Sequence, residues 1–484
     1  MTNVKTLRIL LIVIGISSQG LVTESSLNSC LMAQTPSQTQ GSKPIPPSDP
    51  DTGTPLTGRT QVPTEPVGPL KGVGKTLERH GIYFRGILVD EGAANPTGGQ
   101  GQGTGNSFAT QFGSDLDLEK LVRLKGGRFH ITINKSIGQS LAALHTLNGV
   151  SFQTRFKTYH NIREAVLSYE QDLFGGRINL VGGRVSALTY FNASAMYCAF
   201  QSNAICFNPA VLPIGDKGLS FFPFGTWGGR MKVSPSKRFY IEAGGFEANV
   251  ALQPSNGFDF TTTTNTGVQI PVEFGFQSPS LTASHAYHLR FGEYHNTSFY
   301  SDPYLNTNGQ SLVAFKGTAL QHKGQNNWYA MGDVVIHRPV AGGTRNLSIF
   351  GGSTGTPDQY LTYTNQTLLG FIYTGFFARR PNDTFGVVGS YLRLGDQQVA
   401  FLQASRTKIG GTDLVHHAEG LFEVNQGFRL SRGATLSPNI QYIVHPDNNL
   451  RAASLHRSQN IFAFGLRLSI ELGDVLGLPT ARRR

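Results

Sequence analysis

Residues 462–472 read FAFGLRLSIEL and alternate between apolar side chains and small or polar ones. Successive side chains of a β-strand point to opposite faces, so this segment has one apolar face and one polar face. The same alternation runs through 107–119 and 434–445. These stretches predict β-strands that face an apolar medium on one side and a polar one on the other.

Sixteen segments between residues 80 and 472 follow this pattern. They are 80–89, 107–118, 128–138, 161–172, 177–186, 225–234, 238–249, 270–277, 284–294, 326–337, 345–352, 366–376, 384–394, 415–425, 433–445 and 460–472. Their length is close to the roughly 9 to 11 residues that a tilted strand needs to cross a bilayer.

The connections between these segments alternate in length. Short ones occur at 172–176, 234–237 and 379–383, whereas 187–224 and 295–325 are the longest. Lipid cannot satisfy the polar groups of an open sheet edge, so a membrane sheet must close on itself. The pattern predicts an all-β, transmembrane antiparallel barrel of about 16 strands, with short periplasmic turns and long extracellular loops. A soluble sandwich also alternates, but it would not sort its connections in this way.

The composition agrees with a β-rich membrane protein. Charged residues make up 15 % of the 484 residues, aromatic residues 10 %, and 58 residues are glycine. The formal net charge of +11 is dispersed along the chain, with its only run at residues 482–484. Nucleic-acid binding is therefore excluded, because such proteins concentrate basic residues on one face.

The N-terminus resembles an export signal. Lys5 and Arg8 precede an apolar core of eight residues, 9–16, which is too short to span a membrane. Cleavage is expected near residue 20 or 33, and lipidation at Cys30 is the less favoured alternative. We therefore expect a signal peptide over residues 1–33.

Three further segments complete the expected organisation. Residues 34–69 hold nine of the 24 prolines, so 34–76 is expected to be a proline-rich periplasmic linker. The barrel is expected over 77–472 and a C-terminal tail over 473–484. GVGKT at 72–76 lacks the first glycine of a phosphate-binding loop, since Pro69 stands there.

Two motifs resemble parts of a catalytic site or a metal site. GGSTG at 351–355 matches the nucleophile elbow, but it lies between two β segments, where we expect a glycine-rich turn. His417 and Glu419 share a strand face, and two ligands are too few for a metal site. We expect no catalytic residue, no metal and no cofactor.

Several segments, in their order along the chain, resemble one known family. They are LERHGIY (77–83), NPTGG (95–99), DLDLEKL (115–121), GGRFH (126–130), VLSYEQDLFGGRINLVGG (166–183), WGGR (227–230), WYAMGDVVIHRP (328–339) and PNIQYIVHP (438–446). Together they are similar to the carbohydrate-selective porins (OprB-type) of bacterial outer membranes.

The resemblance implies an outer-membrane pore for passive diffusion of monosaccharides and similar small solutes, with longer loops folded inward. Small sugars and outer-membrane lipid are then the partners, and a homo-oligomer is an open alternative. Another class of barrel, either a general or anion-selective porin or a barrel enzyme, is the competing interpretation. The chain departs from the family in its longer proline-rich segment and in a last strand that ends at Glu471-Leu472 without a terminal aromatic.

If the apolar faces point to lipid, a set of charged side chains points inward. The pore-lining candidates are Arg184, Arg230, Lys232, Arg290, Arg467, Asp115, Asp117, Glu170 and Glu273. Sugar hydroxyls donate and accept hydrogen bonds, and the arginine fork offers donors in a fixed geometry. Asp115 and Asp117 could also be imagined as a glycosidase pair, but a polar pore wall is the favoured interpretation.

Cys198 and Cys206 lie in the long 187–224 connection. An exported chain meets oxidising conditions, so a disulfide between them is expected. Two free buried thiols are the alternative.

Overall fold

A computed structural model describes residues 67–150, 152–154, 162–194, 196–206, 220–249, 255–280, 282–340 and 343–480. The expected signal peptide and nearly all of the expected linker lie outside these residues. Among the described residues, no helix combines the length and the apolar character needed to cross a membrane.

Sixteen strands in the described part of the chain form one closed barrel. Their bounds are β1 Ile82–Gly99, β2 Gly103–Asp117, β3 Gly127–Gly138, β4 Ile162–Leu173, β5 Ile178–Val185, β6 Thr226–Ser236, β7 Phe239–Ala248, β8 Gly267–Gln277, β9 Tyr287–Asn306, β10 Ala319–His337, β11 Asn346–Gly355, β12 Tyr363–Thr374, β13 Thr384–Leu394, β14 Ala418–Ser431, β15 Ala434–Val444 and β16 Gln459–Glu471. Each strand pairs with its neighbours in sequence, and antiparallel pairing of β1 with β16 closes the barrel.

The described residues also form six α-helices. They are α1 Lys71–Arg79, α2 Leu118–Val122, α3 Asn203–Cys206, α4 Leu312–Phe315, α5 Asp396–Lys408 and α6 Leu472–Leu476. The helices α1, α2 and α6 lie at the barrel end that carries the β2–β3 and β14–β15 connections, which we call the turn end. The opposite end, which carries the β5–β6 and β13–β14 connections, is the loop end.

The predicted alternation of apolar and polar side chains assigns each residue of the barrel wall to the outer or the inner face. In β16, Phe464 and Leu466 are exposed on the outside, whereas Ala463 and Arg467 are buried on the inside. Since an apolar exterior is solvated by lipid tails and a polar interior by water or protein, the barrel is built for a membrane.

Several strands extend further than their alternation indicates. The predicted 295–325 connection is mostly strand, because β9 and β10 run on as a paired hairpin to residues 306 and 319. Likewise β1 and β2 are joined by only residues 100–102. These extensions lie at the loop end, where the strands leave the apolar layer and backbone pairing continues without an apolar face.

The two ends of the described chain meet at the seam between β1 and β16. The Leu70 N–H donates to the Leu476 carbonyl at 2.8 Å, and the Phe84 N–H donates to the Pro479 carbonyl at 2.6 Å. Residues 71–76, expected in the linker, therefore belong to α1, and the expected tail forms α6 and a returning segment to residue 480. GVGKT lies in α1 and not in a phosphate-binding turn.

Candidate functional site

The long β5–β6 connection folds into the barrel. Its described residues 186–194 and 196–206 form what we call the inner loop. The backbone N–H groups of Gln201 and Ser202 donate to the two carboxylate oxygens of Glu423 on β14, at 2.7 and 2.9 Å. Arg467 Nη1 on β16 donates to the carbonyls of Cys198 and Phe200, at 2.9 and 3.0 Å. The inner loop is thus held against the β14–β16 wall.

The start of the inner loop is held by the β7–β10 wall. Glu273 Oε2 accepts from the Asn192 N–H at 3.1 Å, and Arg290 Nη1 donates to the Ala193 carbonyl at 2.6 Å. The hydroxyls of Tyr240 and Tyr329 each donate to Glu273 at 2.7 Å and so fix its carboxylate. Contacts to two distant parts of the wall mean that the inner loop crosses the lumen.

Apolar contacts fill the space behind the inner loop. The Phe350 ring on β11 lies 5.7 Å from the ring centroids of Tyr197 and Phe200. Phe191 meets Phe246 on β7 at 6.0 Å. Burying aromatic surface of this size adds to the hydrogen bonds that anchor the loop, which narrows the passage.

Cys198 and Cys206 lie near the far end of the inner loop, and their sulfur atoms are 2.07 Å apart in a disulfide. Cys206 ends α3, and both residues are buried. The bridge closes the loop segment whose carbonyls Arg467 holds.

The remaining basic candidates are held by local partners. Arg184 donates to Glu164 and to the Gly225 carbonyl, both at 3.0 Å. Arg230 Nη1 lies 3.2 Å from Glu242 Oε2, and its guanidinium stands 4.8 Å from the Tyr190 ring of the inner loop. Lys232 Nζ stands 3.6 Å from the centre of the Tyr240 ring.

These positions change the interpretation of the five basic candidates. All five point inward as expected, but none is more than 4 % exposed. Arg290 and Arg467 donate to the inner loop, and Arg230 stands against its Tyr190 ring. Arg184 and Lys232 are covered by other residues of the wall and its connections. They support the narrow section of the lumen from behind and do not form its bare surface.

A second group of charges stands nearer the turn end and remains partly open to solvent. Asp115 accepts from Arg85 Nε at 2.6 Å and also bonds to His130. His130 Nε2 lies 3.0 Å from Glu170 Oε2, and Arg128 lies 3.4 Å from the other Glu170 oxygen. Asp115 and Glu170 thus belong to one group, and both point inward as the alternation predicts.

Arg85, Arg128 and His130 were not among the sequence candidates. Their side chains retain 15, 25 and 13 % of their exposure, more than any of the five basic candidates. The signal for them was in the alternation, since His130 lies directly opposite Asp115 in the β2–β3 ladder. They are inward-facing side chains near the turn end that remain partly exposed.

Asp117 does not join this group. It ends β2 and caps α2, accepting from the N–H groups of Glu119 and Lys120 at 3.1 and 3.3 Å. Its placement in the pore wall is therefore wrong, because helix capping turns the carboxylate into the β2–β3 turn. Asp115 and Asp117 also form no pair of the kind a glycosidase uses.

The other motifs have structural roles. Residues 351–355 lie within β11 and not in the expected turn, so no strand turns there into a helix. His416 stacks on His445 with 3.8 Å between ring centroids, and Glu419 accepts from the Asp447 N–H at 2.9 Å. Within the described ranges, no cluster of three or more His, Cys, Asp or Glu side chains could hold a metal ion.

A closed barrel with an apolar exterior, a charged interior and a loop across its lumen is a membrane pore. Comparison with known proteins agrees: the sequence model of the carbohydrate-selective porin, OprB family, matches residues 102–472. The chain belongs to this family. It is accordingly an outer-membrane carbohydrate porin, and the family and its relatives are channels.

Individual relatives are more distant. Porin B of Pseudomonas aeruginosa is 25 % identical over 400 residues, which cover 78 % of this chain and 86 % of that protein. The putative porin QuiX of Acinetobacter baylyi is 26 % identical over 415 residues, or 78 and 88 % of the two chains. The high-pH structure of Pseudomonas putida OprB shares the fold, with a TM-score of 0.74 and 23 % identity over 82 % of this chain and 96 % of that one.

Proposed function

We propose that this porin admits monosaccharides and solutes of similar size by passive diffusion. The observation that carries the proposal is the inner loop, tied to Glu423 and Arg467 on one wall and to Glu273 and Arg290 on the other. A loop anchored on both sides holds the passage at a defined width. Size selection then follows from the width and not from tight binding, which would slow release.

An incoming solute passes the Arg85, Arg128 and His130 group after it leaves the narrow section. Arginine and histidine donate hydrogen bonds, and Asp115 and Glu170 accept them, so the group can replace part of a sugar's hydration. Each of these side chains already has protein partners. Contacts with the solute are therefore weak and exchangeable, as rapid diffusion requires.

The orientation and the processing of the chain belong to the same proposal. The turn end faces the periplasm and the loop end the outside, since short turns are periplasmic in bacterial barrels. Cleavage near residue 20 or 33 removes a signal peptide, and a proline-rich linker follows it.

Liposome swelling tests the transport proposal. Proteoliposomes containing the full mature chain are placed in isosmotic solutions of a pentose, a hexose, a disaccharide and a trisaccharide. We expect rapid swelling with the first two and a steep fall with the larger sugars. Protein-free liposomes are the control, and equal rates for sugars and for non-sugar solutes of the same size would show a general porin.

One observation favours a second candidate, an anion-selective porin. Near the turn end, the inward-facing Arg85 and Arg128 retain exposure. Charges in a lumen are screened less than charges on the surface. Reversal potentials in a KCl gradient separate the two functions. A strong anion preference without sugar-dependent block of the current would favour the anion porin.

A further inference from the structure

The connections at the two ends of the barrel differ in charge. The seven turn-end connections are 118–126, 174–177, 237–238, 278–286, 338–345, 375–383 and 432–433, and together they contain eleven Lys and Arg but only two Asp and Glu. The eight loop-end connections are much longer in total, yet they contain eight Lys and Arg and six Asp and Glu. The turn end therefore carries a surplus of positive charge that the acidic side chains of its connections do not balance.

Four of these cations are fully open to the surroundings of the barrel. Arg123 and Lys125 lie in the β2–β3 connection, Arg177 in the β4–β5 connection and Arg379 in the β12–β13 connection, and all four are exposed. The β2–β3 connection has one carboxylate, Glu119, whose Oε2 accepts from a backbone N–H of the same connection at 3.3 Å. The β4–β5 connection has none. These side chains thus offer positive charge to a partner outside the chain.

Exposed apolar side chains accompany the cations in the same connections. Phe174 is 77 % exposed and Phe376 is 51 % exposed, and each stands three residues before an exposed arginine. Val122, which is 66 % exposed, directly precedes Arg123. Apolar side chains beside cations are typical of a surface that lies in a membrane interface, where the apolar groups meet acyl chains and the cations meet headgroups.

These apolar side chains continue the lipid-facing wall. The ring centroid of Phe376 lies 5.4 Å from that of Tyr373 on β12 and 6.0 Å from that of Phe385 on β13. Both partners alternate with buried, inward-facing residues and so point outward. Phe174 directly follows Leu173, an exposed residue at the end of β4. The cations therefore stand just beyond the apolar layer, at the level where lipid headgroups begin.

We propose that the turn end binds the headgroups of anionic glycerophospholipids. The exposed arginines and Lys125 contact phosphate oxygens, which the planar guanidinium fork fits especially well, and Phe174 and Phe376 lie among the first acyl carbons. A soluble polyanion would use only the cations, whereas a lipid uses the cations and the apolar side chains together. The choice of a glycerophospholipid rests on the proposed orientation, with the turn end towards the periplasm. The preference for a negative headgroup rests on the side chains alone.

Native mass spectrometry of the full mature protein tests the preference. The protein is released with a neutral detergent from liposomes of dioleoyl-phosphatidylglycerol and dioleoyl-phosphatidylcholine in equal amounts, which differ in headgroup charge but not in acyl chains. We expect the retained lipid to be enriched in phosphatidylglycerol at least about fivefold at low salt, because each basic residue near an anionic lipid surface adds to the attraction. The enrichment should fall towards parity at high salt, since salt screens exposed charges.

Substitutions at the turn end locate the headgroup contacts. Arg123→Gln with Arg177→Gln removes two exposed cations and should lower the enrichment about threefold or more. Lys316→Gln with Arg451→Gln removes the same charge from exposed loop-end positions and is the matched control, which should keep the enrichment unchanged. Phe174→Asn tests the apolar contact, because asparagine tolerates the φ of 53° at this position. It should lower the total of both retained lipids and leave their ratio unchanged.

Nanodiscs give a second measurement if a variant fails to insert. The melting temperature of the unsubstituted barrel should be higher in nanodiscs that contain both lipids than in nanodiscs of phosphatidylcholine alone. High salt should abolish this difference, since the stabilisation comes from lipid that binds the folded barrel through exposed charges. A melting temperature indifferent to the headgroup at low salt would contradict the inference without any substitution.

Equal retention of the two lipids at low salt, or the same loss of enrichment in both paired variants, would overturn the inference. The protein in phosphatidylcholine nanodiscs is also mixed with purified peptidoglycan and sedimented. Co-sedimentation that is lost in the Arg123 and Arg177 variant would assign the cations to the cell wall instead, which also overturns it.

Two further measurements separate the inference from the proposals on which it rests. Labelling of Lys237→Cys by an impermeant maleimide in intact cells, in a Cys30→Ser background, would place the turn end outside and overturn the choice of lipid. Sugar uptake is measured on the same variants in phosphatidylcholine liposomes. Uptake that continues there distinguishes a failed lipid preference from a failed transport proposal.

Discussion

Glu423 on β14 accepts the backbone N–H of Gln201 at 2.7 Å, which joins two residues 222 positions apart in the chain. The second carboxylate oxygen accepts the N–H of Ser202 at 2.9 Å. A carboxylate has two acceptor oxygens and can receive both bonds at once. This pair therefore decides where the inner loop crosses the lumen.

Replacing Glu423 with Gln should release the far end of the inner loop. An amide has one acceptor oxygen, and its NH₂ group would face an N–H donor, so anchoring falls by about 2 kcal/mol. We expect a larger single-channel conductance and faster uptake of disaccharides in swelling assays. Glu293→Gln, on the exposed outer side of β9, is the control and should change neither. An unchanged conductance in the Glu423 variant would show that the loop does not set the width.

Ion selectivity should depend more on the partly exposed Arg85 and Arg128 than on the covered Arg230 and Lys232. Arg85→Gln with Arg128→Gln removes two positive charges that face Asp115, Glu170 and Asp172 and leaves only His130 beside Asp115 and Glu170, so the reversal potential should move towards cation preference.

Arg230→Gln with Lys232→Gln is the matched double variant for this experiment. It should shift the potential less, because these residues are covered and Glu242 neutralises part of their charge. The sugar block should also weaken mainly in the first pair. The opposite order would mean that the covered residues face the permeation path.

The disulfide should resist alkylation. Without reductant, Cys198 and Cys206 should remain unlabelled in unfolded protein, and both should label after reduction; Cys30→Ser removes the remaining cysteine. Cys198→Ser with Cys206→Ser should lower the stability of the inner loop by about 2 kcal/mol, as expected for closing a short segment. Labelling before reduction would contradict the bridge.

Asp447, in the β15–β16 connection, should give stability a specific pH dependence. Burial raises the pKa of the Asp447 carboxyl above its ordinary value. A raised folded-state pKa favours the folded protein at low pH, and this contribution is lost as the pH rises through the folded pKa.

The difference in melting temperature between the unsubstituted protein and Asp447→Asn should therefore become less favourable to the former as the pH rises from 4 to 8. Taking the difference removes the contributions of carboxyl groups that do not interact with Asp447; Glu419, which accepts from the Asp447 N–H, contributes together with it. A constant difference across this range would show that Asp447 keeps the same charge in the folded and unfolded states.

The C-terminal segment should stabilise the seam of the barrel. Truncation after Leu472 removes the carbonyls that accept from Leu70 and Phe84, each bond worth about 1 kcal/mol, together with the apolar packing of α6. A folded barrel migrates differently from unfolded protein on a denaturing gel. The temperature at which the band of the folded barrel disappears should fall. Truncation after Thr480 removes only residues 481–484 and should leave it unchanged; equal effects of the two truncations would contradict a role for 472–480.

The strands and their faces were determined by the sequence itself. Alternation has a period of two residues, so FAFGLRLSIEL already shows that Phe464 faces outward and Arg467 inward. The same local pattern predicted all sixteen strands, and the family motifs predicted the class of pore. The alternation did not predict the ends of strands that extend beyond the lipid layer, as in the long β9–β10 hairpin, because no apolar face is required there.

Only the tertiary structure decided what the inward charges do. Arg467 and Arg230 have the same phase and chemistry as any pore-lining arginine, yet the inner loop covers both. Asp117 has the same phase in the alternation as Asp115, but it caps α2 and so lies in the β2–β3 turn. The route of the inner loop depends on contacts such as Gln201 with Glu423, between residues more than two hundred positions apart, and no local periodicity encodes such contacts.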